Sequence, residues 1–165
     1  MKIYIASPYI RQRDVNQVLY EMLKDMGHSV FLPEAIDIDA TTEDEMKYVA
    51  LLCYREIEKC DLMVIVHPFG MSVATEVGYA ICLKKMGYEK NLVLYTLNGY
   101  DKSILHSEAM IMPYIDFETE SMDEMVKYIN SRRNKLGYRP LPLRNKRRIH
   151  ALISDDGGIK SDAMN

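Results

Sequence analysis

The chain has three cysteines among its 165 residues, Cys53, Cys60 and Cys82, an odd number in no paired motif. That excludes a disulfide framework and fits buried thiols in a reducing compartment. No Cys/His spacing suggests zinc; the four histidines, His28, His67, His106 and His150, are scattered, and each reads as structural or solvated, with His67 the one to watch. Long apolar runs are missing too. Although 48% of the residues are hydrophobic, no stretch approaches the ~20 needed to span a bilayer. Only Lys2 precedes a strand-like segment, so the charged region, apolar stretch and cleavage site of a secretory leader are absent and a cytoplasmic protein is expected. There are no internal repeats and no low-complexity segments. What remains is a chain of one ordinary domain, long enough to bury a real core.

The pattern along the chain is strands alternating with helices, which predicts a parallel sheet covered on both faces. Lys2 to Ala6 is the first strand, His28 to Leu32 the second, Leu62 to Val66 the third, Leu92 to Thr96 the fourth and Tyr114 to Phe117 a short fifth. Between the first two strands, Asp14 with Gln17 reads as an N-cap pair, and Val15, Val18, Met22 and Met26 mark an apolar face closed by Gly27. Thr42 with Glu45 repeats the capping-box spacing, and Met46, Val49, Cys53 and Ile57 carry the next helix up to Cys60. Ile104 to Met110 reads as a short helix, and Ser121 with Glu124 caps a last helix to about Ile129.

The most informative stretch is CDLMVIVHPFGMSVATEVGYA, Cys60 to Ala80. Leu62 to Val66 is short, apolar and β-branched enough for a strand buried on both faces. Pro68 and Gly70 break the chain, and a helix pattern follows through Val77, Ala80, Ile81 and Lys84. Thr75 and Glu76 are thereby expected at or just inside a helix N-terminus, beyond the carboxyl end of a parallel strand, where open α/β sheets bind ligands. On spacing alone, the better reading is an acid that simply complements the helix dipole.

The opening MKIYIASPY, the CD before LMVIV, and SVATEVGYA with small residues behind it resemble the nucleoside 2-deoxyribosyltransferase family and its nucleoside 5′-monophosphate N-glycosidase relatives, from Met1 to about Ile129. The resemblance implies a flavodoxin-like or Rossmann-like domain over residues 1–131, acting on the N-glycosidic bond of a nucleoside or its 5′-monophosphate. It implies Glu76 as the nucleophile and Tyr4 as the hydroxyl that holds it. Tyr9 lies where the family places an aromatic against the base, and Ile10 with Arg11 resembles a pair that contacts base and phosphate. The loop from Ser7, with Arg11 and Arg13, leads into a helix terminus able to receive an anion. HSEAMIM at 106 to 112 resembles a stretch that completes the neighbouring subunit's site, making Ser107 the candidate with Glu108 its rival, and a homodimer the minimum active unit. No metal and no organic cofactor is implied, and the expected partners are small-molecule nucleosides or nucleotides rather than a membrane or nucleic acid.

Three positions depart from the pattern. Gly70 stands where relatives carry an Asp or Ser that holds sugar or phosphate, with Ser72 as a substitute nearby. Cys53 stands where many carry an Asp that assists the leaving base, and a thiol with a usual pKa of about 8.5 replaces that acid poorly. Glu56, one turn on, is a candidate acid, equally readable as a salt-bridging surface residue. Asp61 reads as the residue that ends the helix and shapes the turn into the third strand. Beyond residue 131 the composition changes: residues 132–148 hold eight basic residues and no acid, a solvated arm or one that crosses to a neighbouring subunit. With no interleaved aromatic beyond Tyr138 it is a poor nucleic-acid platform. A module that binds nucleotides without turning them over is the alternative from another class.

Overall fold

The computed structural model describes residues 1–8, 12–36, 40–101, 103–106 and 108–135. Five parallel strands, β1 (Lys2–Ala6), β2 (Ser29–Phe31), β3 (Leu62–His67), β4 (Asn91–Thr96) and β5 (Phe117–Thr119), form one sheet in the order β2-β1-β3-β4-β5. This is the flavodoxin-like order, whose switch point lies between β1 and β3. Helices α1 (Arg13–Asp25) and α5 (Met122–Lys135) cover one face, where Ile3, Ile5, Val64, Val66 and Val93 pack against Leu19, Leu23, Met125 and Ile129. Helices α2 (Glu43–Lys59) and α3 (Met71–Lys85) cover the other, where Tyr4, Ala6, Met63, Ile65, Leu92 and Leu94 meet Cys53, Ile57, Val73, Val77 and Ala80. A short α4 (Ser103–His106) lies between β4 and β5. The central strands are apolar on both sides because both sides are covered.

Local chemistry explains most of the boundaries. Thr42 caps α2 as the sequence predicts: its hydroxyl accepts from the Glu45 amide at 3.3 Å while Glu45 Oε2 accepts from the Thr42 amide at 2.9 Å. Gly27 closes α1 with a positive φ of 77°, which glycine adopts without steric cost. Asp61 follows the end of α2 and ties two strands together, Oδ2 accepting from the Lys2 amide at 2.7 Å.

Several expected boundaries move. Asp14 does not cap α1; the helix starts two residues earlier, with Gln12 at the N-cap, its carbonyl accepting from the Asn16 amide. Helix α3 begins at Met71, so Glu76 sits in its second turn rather than its first, and dipole complementation does not account for it. Residues 112–114 form a 3-10 turn and β5 starts at Phe117, because its pairing with Val93 to Tyr95 fixes the register. The expected helix over Ile104 to Met110 reduces to the single turn of α4. Helix α5 runs past Ile129 to Lys135, held by Arg133, which is buried and donates to the Met26 carbonyl at 2.7 Å. The compositional change at Arg132 thus falls inside a helix, and the rest of the basic segment lies outside the described residues. Met46, expected on the buried face with Cys53 and Ile57, is 55% exposed.

Candidate active site

The site grows from the switch point between β1 and β3. Tyr4 sits in the middle of β1, opposite Phe31 on one neighbour and Met63 on the other, and is fully buried. Its ring stacks on Phe31 with centroids 5.4 Å apart. Strand alternation points Tyr4 toward the α2/α3 face, where its hydroxyl donates to Glu76 Oε1 at 2.8 Å, across 72 residues of sequence. The second carboxylate oxygen of Glu76, Oε2, is buried and has no hydrogen-bond partner.

These surroundings set the protonation states. Burial pushes the Glu76 carboxyl up to about 7, against the hydrogen bond from Tyr4, which favours the ionised form. Burial foremost, then the neighbouring carboxylate, raises the Tyr4 hydroxyl far above its ordinary range, so Tyr4 remains a donor. Cys53 is buried against the same pair; desolvation and the Glu76 charge push its thiol up, opposed by its hydrogen bond with Tyr4. The group is therefore a carboxyl poised near neutrality, held by a hydroxyl that does not ionise, with a protonated thiol beside them.

Two loops frame it, and Gln12, which the sequence did not single out, joins them. Gln12 is buried; its Nε2 donates to the Pro68 carbonyl at 2.8 Å and its Oε1 accepts from Ser7 Oγ at 3.0 Å. Ser7 thus serves the loop that follows β1, and Gln12 clasps that loop to the one after β3. Beside it Asn16 donates to Glu34 Oε2 at 2.9 Å, and Arg13 Nε meets Glu34 Oε1 at 3.1 Å. Arg13, expected to add free positive charge to this loop, is therefore compensated. A polar residue at a helix start, such as Gln12, gives no periodic signal, and its partners lie 5 and 56 residues away.

The remaining candidates divide. Gly70 is the N-cap of α3 with an extended φ of −105°, and a Cβ there would meet nothing within 4 Å. Ser72 is exposed in the first turn of α3. Glu56 forms an ion pair with Lys59 at 2.6 Å and bonds neither Tyr4 nor Glu76. His67 ends β3 beside Thr96 of β4, its ring edge-on to Phe69 with centroids 5.7 Å apart. Tyr9, Ile10, Arg11 and Ser107 lie outside the described residues. Among the described residues no group of three or more His, Cys, Asp or Glu is placed to hold a metal ion, and no helix is long and apolar enough to cross a membrane.

No protein-family model and no curated protein matches the chain in sequence. Solved structures do match in shape. A 2-deoxyribosyltransferase from the psychrotolerant bacterium Bacillus psychrosaccharolyticus is similar with a TM-score of 0.63 and 20% identity, over 86% of this chain and 99% of that one. A conserved protein from Enterococcus faecalis V583 is similar with a TM-score of 0.58 and 17% identity, over 80% of this chain and 98% of that one. The chain therefore has the flavodoxin-like α/β fold that the Bacillus transferase adopts.

Proposed function

We propose that the protein cleaves the N-glycosidic bond of a nucleoside through a glycosyl-Glu76 intermediate and transfers the 2-deoxyribosyl group to a second base. The observation that carries this reading is the buried pair: Tyr4 occupies one oxygen of Glu76 and leaves the other without a partner. A carboxylate held by one oxygen with the other free and desolvated suits attack on an electrophilic carbon better than a structural role, because a buried acceptor left unsatisfied is costly. The shared fold with a solved 2-deoxyribosyltransferase supports the class of reaction.

In the proposed chemistry ionised Glu76 attacks C1′ through Oε2 as the C1′–N bond breaks, and the electron pair leaves with the base, which takes a proton from solvent. The sugar is then held as an ester. A second base attacks C1′ through a ring nitrogen and gives up that nitrogen's proton to solvent, the C1′–O bond of the ester breaks, and the carboxylate returns to Tyr4. The oxocarbenium-like centre is flanked throughout by the negative carboxylate. Tyr4 directs the carboxylate and, by favouring its ionised form, keeps a usable fraction charged near neutral pH.

The Arg13–Glu34 pair favours a free nucleoside over a 5′-monophosphate, since this cation is already neutralised. The test is chromatography of bases released from nucleosides and their 5′-monophosphates, with and without an acceptor base. Wild type is expected to form a new nucleoside only when the acceptor is present, and E76Q to release no base. Free sugar with no new nucleoside would instead assign hydrolysis, and tight nucleotide binding without turnover would assign the binding module.

A further inference from the structure

The hydroxyl of Tyr4 has a single proton, and Glu76 Oε1 receives it at 2.8 Å. What is left on this fully buried oxygen is acceptor capacity. The group that meets it is Cys53, near the middle of α2, which is 7% exposed and shares the buried face of its helix with Ile57. The Cys53 thiol hydrogen-bonds Tyr4, and desolvation foremost, then the Glu76 charge, keeps that thiol protonated. Since the tyrosine proton is committed to Glu76, the thiol is the donor in this second bond and the tyrosine oxygen the acceptor. Groups from β1, α2 and α3 thus form one line with one direction, from Cys53 Sγ–H to Tyr4 Oη–H to Glu76 Oε1. The elements packed around them add little charge. On this face β3 contributes Met63 and Ile65 and β4 contributes Leu92 and Leu94. On the helices, Glu56 is paired with Lys59 and Glu58 accepts from Tyr79, while His67 lies at the carboxyl end of β3 with its ring against Phe69.

We infer that Cys53 is a positioning residue for Glu76 and acts through Tyr4: by donating to the tyrosine oxygen it fixes the direction of the hydroxyl proton and strengthens the bond that Tyr4 gives to the carboxylate. Hydrogen bonds in series polarise one another, by roughly 10–30% per bond. The thiol suits this place because it is neutral. A carboxyl at position 53 would compete with Glu76 for the one tyrosine proton, and two buried carboxylates oppose each other's ionisation. A protonated thiol leaves that proton to Glu76 and adds a donor behind it. Its own proton faces Tyr4 rather than a departing base, so Cys53 serves the nucleophile and not the leaving group. The use of the relay in catalysis rests on the glycosyl transfer proposed above; the relay itself does not, and it is tested without substrate.

The experiment is a carbon NMR titration of the glutamate carboxyls of the full chain, with the Glu76 signal assigned by its loss in E76Q, in wild type, C53A, Y4F and the double variant Y4F/C53A. C53A is expected to raise the Glu76 midpoint by roughly 0.3–1 unit, a two- to ten-fold gain in proton affinity. In the Y4F background C53A is expected to add nothing, because a group that acts through Tyr4 has no path without it. C53D is expected to replace the single step by two steps shared between the carboxyls. The infrared stretching band of the Cys53 thiol, assigned by its loss in C53A, is expected to move to higher frequency in Y4F, where its acceptor is gone. A C53A midpoint equal to that of wild type, a C53A shift as large in Y4F as in wild type, or a thiol band indifferent to Y4F would each overturn the proposal. With turnover, the ascending limb of kcat/KM in C53A should move by the same amount as the midpoint. These shifts in a protein that turns over no nucleoside would support the relay while contradicting the glycosyl transfer.

Discussion

Glu76 concentrates the tension between stability and function. Its carboxyl is raised from about 4.5 in the unfolded chain to about 7 in the folded one, so the folded state binds the proton more tightly. The stability this group lends is complete below pH 4.5 and is lost as the pH rises through 7. E76Q, which carries no charge to bury, is therefore expected to unfold like wild type near pH 4 and to be more stable by about 3 kcal/mol at pH 8, measured by denaturant titration at both values. Under the proposed chemistry the same group places the ascending limb of kcat/KM near pH 7. Y4F removes the hydrogen bond that favours ionisation, so its limb is expected to move to higher pH along with a reduced rate. The opposite surface has its own titration: burial, with the positive N-terminus and Arg133 nearby, lowers His28 from 6.5 to about 4. This histidine folds neutral, its contribution is present above pH 6.5, and it is lost as the pH falls toward 4. H28Q is expected to lessen acid destabilisation in that window. Glu76 and Tyr4 were legible in the sequence through a motif resemblance. Gln12 and the Arg13–Glu34 pair were not, because their roles arise only when loops distant in sequence close on one another.

At the scale of elements, α2 shows what a sequence does and does not announce. Its start is written in Thr42 and Glu45, whose side chains satisfy amides that the helix leaves open. T42A is expected to cost about 1 kcal/mol. Its end is not written locally. Lys90, from the loop before β4, is buried and donates to the carbonyls of Ile57, Glu58 and Cys60 at 2.9, 2.7 and 2.5 Å. K90M keeps the length of the side chain and removes the donor from those carbonyls, of which Ile57 keeps only the weak Cys60 Sγ donor at 3.2 Å, at roughly 1–3 kcal/mol for each buried carbonyl left unsatisfied, which calorimetry would read as a lowered Tm. Helix α3 starts at Met71, ahead of the position the pattern predicts, for a physical reason. Its first turn, Met71 to Ala74, is apolar or small, so no polar face marks where the helix begins, and Gly70 supplies no capping side chain.

Across the whole molecule, a strand order of 2-1-3-4-5 opens a cleft between β1 and β3, and the Tyr4–Glu76 hydroxyl–carboxylate pair lies there. The alternation of strands and helices was readable because each central strand is a continuous apolar run bounded by turn residues. What the pattern could not give was the register of the short β5, which has three residues and depends on β4 for its position. The account joins that cleft to one chemical act, the transient holding of a sugar by Glu76. The most direct measurement is the intact mass of the protein quenched during incubation with a 2′-deoxynucleoside and no acceptor, followed by peptide mapping. The account predicts an added 2-deoxyribosyl group on the peptide bearing Glu76, discharged by a second base and absent from E76Q. Base release by E76Q at the wild-type rate, with no sugar on the protein, would contradict it.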